Sequence, residues 1–273
     1  MADRRLGVGL AVLAGLTAYA LLVPWVAGVD DRVADFAAAR QAPSATHLFG
    51  TDSAGRDLFV RTAAGLRVSL LVATVCALLS TVIGAVVGAL SAVAGGRVDR
   101  LVMRVVDGVN AVPHLLLGIV LVALFRGSLV AIIASIALTH WTQVARIVRS
   151  EVLSLRDRPL VDAAVLGGAA RWRVVHRHLL PAALPQALVA AVLLLPHAVW
   201  HESTLSFLGL GLPPHRASLG TLLEEARSSL LLGGWWTLVF PALGLVLATL
   251  AAAAVGAALR DRVALPRRTE VRR

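Results

Sequence analysis

Long uncharged stretches, separated by short charged ones, dominate the pattern along this chain. Six of them hold 24, 29, 18, 19, 24 and 32 residues, at positions 6–29, 68–96, 108–125, 127–145, 178–201 and 228–259. An α-helix rises about 1.5 Å per residue, so about 20 apolar residues cross a hydrocarbon core that is about 30 Å thick. Each stretch therefore predicts one membrane-spanning helix.

The six predicted spans have their cores at 7–27, 70–93, 108–125, 128–146, 184–204 and 236–258. The hydrocarbon core offers the backbone no hydrogen-bond partner, so spans this apolar must be helices rather than open sheet. The composition agrees, with 58% hydrophobic residues and a mean hydropathy of +0.80. We predict an all-α polytopic membrane protein with six transmembrane helices.

Four parts follow from these spans. They are a first transmembrane helix with its N-terminus (1–29), an outer segment (30–66), the main membrane domain (67–261) and a tail (262–273). The first apolar stretch is longer than the 7–15-residue core of a signal peptide, so we expect an uncleaved helix. The single cysteine, Cys76, excludes a disulfide within the chain.

The basic residues are divided unequally between the two sides of the membrane. With six spans, 18 of the 26 basic residues lie on the side of the termini and 8 on the other, whereas the acidic residues divide evenly. Because basic loops stay in the cytoplasm, both termini are predicted to be cytoplasmic. The net charge of +10 then reflects topology rather than nucleic-acid binding. We expect the basic tail to be a solvated anchor, with contact to anionic membrane lipid as the alternative.

A polar segment separates the fourth and fifth stretches, and its coupling region covers residues 149–181. Seven arginines lie between Arg146 and Arg177. The glycine pair Gly167–Gly168 predicts a break between two short helices, and Pro181 predicts the end of the second helix. A helical hairpin of this size on the cytoplasmic side indicates a docking surface for a soluble partner. The alternative is an interfacial helix whose arginines lie at the lipid headgroups. We call residues 149–181 the cytoplasmic hairpin.

Several kinds of chemistry are excluded by the residues that the chain lacks. It contains no lysine, so it holds neither a phosphate-binding loop that ends in lysine nor a lysine Schiff base. Glu202 is the only carboxylate near a predicted span. Ion-coupled carriers usually need intramembrane acids or broken helices, so the energy source is expected to lie outside this chain.

Four motifs resemble a known family. The hairpin sequence Asp162-Ala163-Ala164, three residues, Gly168, ten residues, Leu179-Leu180-Pro181 resembles the EAA motif of ABC importer membrane subunits. Three further stretches resemble the second, shorter permease of the dipeptide, oligopeptide and nickel group: 49–57, 202–211 and 259–261. This chain departs from the pattern with Asp162 in place of Glu, with Gly167 before the motif glycine, and with 256–258 in place of a Gly-Asp pair.

The resemblance implies a type I ABC importer permease in a bacterial inner membrane. Implied partners are a homologous permease chain, two ABC ATPase subunits and an extracytoplasmic binding protein. ATP and Mg would be bound by the ATPases, with no cofactor or metal in this chain. Implied coupling residues are Asp162, Ala163, Ala164, Gly168, Leu180 and Pro181. The expected substrate is a short peptide, with nickel or another small solute as the alternative; an ion-coupled carrier and a membrane enzyme are alternatives from other classes.

Polar residues within the spans are candidates for the translocation path or its gate. They are His114, His140, Gln143, His197, His201 and Glu202, because intramembrane ionisable side chains mark functional sites. Hydrogen bonding between helices is the alternative for the histidines, and a structural ion pair is the alternative for His201 with Glu202. The segment Gly55-Arg56-Asp57 is expected to form a turn with a local ion pair rather than to contact substrate.

Overall fold

The described residues of the computed structural model form helices, turns and one isolated antiparallel bridge. The backbone is described for residues 2–27, 33–156, 158–213 and 216–270, and side chains for all of these except 2, 160, 162, 165, 171 and 264–270. The helices are α1 (Ala2–Val26), α2 (Leu58–Ala94), α3 (Gly96–Ala111), α4 (His114–Leu124), α5 (Leu129–Arg156), α6 (Pro159–Leu166), α7 (Arg171–Val174), α8 (Leu180–Phe207), α9 (Leu219–Leu230) and α10 (Trp236–Glu270). The all-α class is confirmed.

Five of the six predicted spans correspond to single long helices. In the described residues α1, α2, α5, α8 and α10 are long and apolar enough to cross a membrane. The helix α2 begins at Leu58, within the predicted outer segment, because the carboxylate of Asp57 accepts the backbone N–H groups of Phe59 and Val60 and caps the helix. At the other end of the chain, α10 continues into the predicted tail.

The third predicted span is wrong as a single helix. The helix α4 has only 11 residues, and it meets α3 at an angle of 79°. Val112, between them, is extended, with φ −85° and ψ 129°. Proline disfavours helical backbone in the residue before it, so Pro113 ends α3 and residues 108–111 belong to α3. A sixth span exists only if this bent pair is counted as one.

The helices α2, α5 and α8 form the centre of the bundle. The helix α2 approaches the backbone of α5 closely at Gly84 and Gly88, where an added Cβ on Gly84 would lie 2.5 Å from the carbonyl oxygen of Trp141. This close approach of two backbones is what small residues at four-residue spacing allow in membrane helices. On the outside, α1 packs along α10 and α2, α4 packs on α5, and α9 packs on α8 and α10.

Pro181 does not end the second helix of the hairpin, so that expectation is wrong. The segment Val175–Leu179 is π-helical, and α8 continues through Pro181 to Phe207. A proline has no N–H and its ring crowds the carbonyl four residues earlier. The wider π-helical turn, in which Leu180 donates its N–H to the carbonyl of Val175, accommodates the proline, so the hairpin joins the fifth span without a break.

Candidate functional site

The hairpin of residues 149–181 has the helix, turn and helix that its sequence predicts. The turn lies between α6 and α7, and Gly168 has φ +79°, in the left-handed region that favours glycine. Ala169 donates its N–H to the carbonyl of Ala164 at 3.0 Å, which is the long bond of a Schellman turn. An added Cβ at Gly168 would meet no atom within 4 Å. The requirement for glycine is therefore conformational.

Apolar contacts fix the hairpin to the membrane helices. Val161, Val174 and Leu179 are buried in a cluster with Val148 and Val152 of α5. The base of the hairpin is therefore packed into the same core as the spans. A force applied to the hairpin is transmitted through close-packed side chains rather than through a flexible loop.

The outer surface of the hairpin exposes large apolar side chains. Leu166 is 88% exposed and Trp172 is 65% exposed. Sequence reasoning did not select either residue, although a tryptophan among arginines was a signal. Of the predicted coupling residues, Ala163 and Pro181 are exposed and Ala164 and Leu180 are half-buried. Asp162 lies in α6, and its side chain is outside the described residues.

Three of the predicted path residues contact one another within the bundle. The ring of His140 packs against His114 with 5.2 Å between ring centroids, and against His201 with 4.8 Å. His197 lies one turn before His201 on α8, and Gln143 lies one turn after His140 on α5; both are exposed. The break at Pro113 places His114 at the first residue of α4, so three separate helices contribute to this histidine cluster (His114, His140 and His201).

Glu202 does not join the histidine cluster. Both side chains are described, and Glu202 does not form the expected ion pair with His201. Glu202 is completely buried. Its carboxylate accepts hydrogen bonds from Ser69 at 2.7 Å, Ser206 at 2.9 Å and Ser203 at 3.4 Å. Ser69 also accepts the N–H of Leu219 at 3.2 Å. Glu202 therefore joins α2, α8 and the start of α9, and in the chain as described it faces the packed interior.

The outer segment is held to α2 and α9 by a charge network. Arg61 is 1% exposed and donates to Asp52 at 2.6 Å and to Glu225 at 2.6 Å and 3.1 Å. Arg56 donates to Asp52 at 2.7 Å and to Glu225 at 3.2 Å, and Gly55 has φ +76°. The expected turn with a local ion pair is therefore present.

The described residues contain no group of three or more His, Cys, Asp or Glu side chains placed to hold a metal ion. The rings of the histidine cluster pack on one another.

Comparison with known proteins identifies the family. Residues 80–265 match the family model described as the binding-protein-dependent transport system inner membrane component. The chain belongs to this family. It is 39% identical to the dipeptide transport system permease of Bacillus subtilis, over 80% of this chain and 68% of that protein. It is 38% identical to the nickel transport system permease of Escherichia coli, over 94% of this chain and 92% of that protein.

A solved structure supports the fold of this permease. The structure of the MetNI methionine ABC transporter in inward-facing conformations matches 72% of this chain and 94% of its own with a TM-score of 0.55, at 22% sequence identity. Together with the family, it confirms the predicted permease fold. The permease is a multi-pass inner membrane component of a binding-protein-dependent ABC importer. Such a component works with ATPase and substrate-binding partners.

Proposed function

We propose that this permease is the shorter of two homologous membrane subunits that form the translocation path of an ATP-driven importer of short peptides. The observation that carries the proposal is the family match over residues 80–265, joined to a hairpin that is packed into the spans at its base and exposes Leu166 and Trp172 at its tip. Exposed apolar side chains of this size indicate a protein interface.

The hairpin couples the spans to the partner ATPases. Two ATPase subunits bind ATP and Mg, and the closure of these subunits on ATP moves each hairpin with the helices on which it is packed. The spans then alternate between access from outside and access from the cytoplasm. An extracytoplasmic binding protein delivers the substrate, and both termini lie in the cytoplasm, as the excess of arginine on that side indicates.

The substrate is the finer part of the proposal. Related permeases are named for dipeptide and for nickel transport, so a peptide and a metal are both represented among relatives of similar identity. The motifs of this chain are common to the whole group. We assign short peptides because most of the relatives at this level of identity are named for peptide transport.

Uptake by the reconstituted complex tests this assignment. The complex contains this permease, its homologous partner, both ATPases and the binding protein, with ATP and Mg inside the vesicles. We expect uptake of a radiolabelled dipeptide or tripeptide, with no uptake of nickel-63 above a vesicle control. Nickel uptake without peptide uptake would replace the proposed substrate class and retain the transport mechanism.

A further inference from the structure

A half-open apolar cavity of about 470 Å³ lies between α1 and the centre of the bundle. Its lining includes Ala20 on α1, Ala73 on α2 and Ala248 on α10, which are all buried and form its floor. Leu21 and Leu71, on α1 and α2, also line it and are exposed, so they form its rim on the lipid side. Small floor residues between larger rim residues leave a space that the chain itself does not fill. We call this space the α1 cavity.

The lining of the α1 cavity selects hydrocarbon as its contents. The polar lining residues are Thr17, Arg67 and Thr74, and the hydroxyl of Thr74 donates to the carbonyl of Leu70 at 2.8 Å within its own helix. A water molecule needs several polar partners, and an empty space forfeits the dispersion contacts of its walls. An acyl chain of the surrounding bilayer supplies those contacts and needs no hydrogen bond.

Arg67 is the only charged residue among those that line the α1 cavity. It directly precedes the uncharged stretch 68–96. From Arg67 to its end at Ala94, α2 is about 40 Å long at about 1.5 Å per residue, and a bilayer with its headgroups is about 40–45 Å thick. With Ala94 at one membrane surface, Arg67 therefore lies in the headgroup layer of the other, which is the outer one in the predicted topology.

The guanidinium of Arg67 has no anionic partner among the residues that the structure describes. Its side chain is exposed. By contrast, Arg56 and Arg61 share the carboxylates of Asp52 and Glu225. A guanidinium presents a planar set of N–H donors that fits a phosphate with two parallel hydrogen bonds. In a headgroup layer, the lipid phosphates are the anions within its reach.

A second apolar cavity shows that an arginine in the lining is not sufficient for such a site. It has a volume of about 490 Å³, lies between α2, α8 and α10, and is lined in part by Arg262. Arg262 already donates to the carboxylate of Asp3 at 2.6 Å. Its charge is balanced within the chain, so this cavity gives no reason to expect a phosphate.

We propose that the α1 cavity is a binding site for one anionic phospholipid of the outer leaflet. Arg67 binds the lipid phosphate, and one acyl chain lies between Leu21 and Leu71 over the alanine floor. Among the described residues no carboxylate lines the cavity, so a headgroup ammonium finds no partner there and an anionic headgroup is preferred. The bound lipid joins α1 to the centre of the bundle, whatever substrate the permease transports.

Lipid titration of the complete complex tests the headgroup contact. The complex is delipidated in detergent and titrated with palmitoyl-oleoyl-phosphatidylglycerol, and bound lipids are counted by native mass spectrometry. We expect Arg67→Gln to lower the affinity for one bound lipid about tenfold, because charge-assisted hydrogen bonds are lost. The matched control is Arg126→Gln, at an exposed arginine between α4 and α5 that lines neither cavity. The corresponding phosphatidylethanolamine should bind the wild type more weakly.

A bulky residue in the α1 cavity tests the acyl-chain contact. Thr17 and Ala18 are both exposed on α1, and of these two Thr17 lines the cavity. We expect Thr17→Trp to fill the cavity and lower phosphatidylglycerol binding at least as far as Arg67→Gln, and Ala18→Trp to bind as the wild type does. An excess of inorganic phosphate should displace no lipid, because it has no acyl chain.

Unchanged phosphatidylglycerol binding in Arg67→Gln or in Thr17→Trp would overturn the proposed site. Displacement of the lipid by inorganic phosphate would overturn it as well, since the site would then be one for free anions. If the wild-type complex binds no lipid that these variants lose, and both variants release the homologous permease chain, that chain covers the cavity and the lipid site is wrong.

Discussion

Gly168 and Leu166 contribute to the hairpin in different ways. Gly168 fixes the direction of the chain, because its φ of +79° costs a residue with a Cβ about 1–2 kcal/mol. Leu166, two residues earlier, is 88% exposed and contributes little to the fold of the isolated chain. Its apolar area is available to a partner.

Leu166→Ser is expected to weaken ATPase binding without destabilising the permease. In the proposed complex this apolar area becomes buried only when an ATPase docks, so the substitution should lower the affinity for the ATPase while membrane abundance stays normal. Co-purification of the ATPases with a tagged permease measures the effect. Leu231→Ser is the control, since Leu231 is also 88% exposed but lies in the turn after α9. Equal ATPase recovery from both variants would contradict this role for Leu166.

A buried cation on α2 links this helix to the outer segment and to α9. Arg61 joins Asp52 to Glu225 across these elements. Its side chain is 1% exposed, so it cannot exchange its partners for water. The segment before α2 therefore has a fixed position relative to the fifth and sixth spans, at the face where a binding protein would dock.

Arg61→Met is expected to destabilise the permease strongly. Removing one partner of a buried ion pair costs about 3–5 kcal/mol. In this variant Asp52 and Glu225 would keep only Arg56, which is less deeply buried than Arg61. The thermal midpoint of the protein in detergent should fall, and proteolysis within 33–57 should become faster. Arg216→Met changes an exposed arginine and should leave both measurements near wild type. Matching midpoints for the two variants would show that the network contributes no stability.

Span positions could be predicted from the sequence because length and apolarity decide them, whereas the breaks could not. Residues 108–125 carry no charge and were predicted to form one helix, but Pro113 divides them between α3 and α4. Pro181 was expected to end a helix, and a π-helical turn accommodates it. A broken span is also a feature of ion-coupled carriers. The scarcity of intramembrane acids and the family match exclude such a carrier, and the shape of the spans does not.

The hairpin turn could be predicted because a local motif specifies it, whereas the histidine contacts could not. Gly168 is required by the backbone conformation of residues next to it in the chain. The contacts of His140 with His114 and His201 join three helices that are far apart in sequence. The inward orientation of Glu202 likewise depends on Ser69, 133 residues away.

The orientation of the whole molecule in the membrane can be measured by labelling. In a Cys76→Ala background, cysteines at the exposed positions Ser44 and Ser228 should react with an impermeant maleimide on intact spheroplasts, because both lie on the side that is poor in arginine. Cysteines at the exposed positions Arg100 and Ala170 should react only after lysis. Labelling of Ala170→Cys from outside would place the hairpin on the wrong face of the membrane.

The central claim is that ATP hydrolysis by the partner subunits moves the hairpin of this permease, and that this movement drives transport between the spans. Peptide uptake into vesicles that carry the complete complex, with ATP inside and ion gradients dissipated, tests it most directly. We predict ATP-dependent uptake by the wild-type complex, at least a tenfold loss in Gly168→Val, and near-normal uptake in Gly15→Val, where an added Cβ would meet no atom within 4 Å. Uptake at the wild-type level in Gly168→Val, or uptake by this chain alone on an ion gradient without ATP, would contradict the claim.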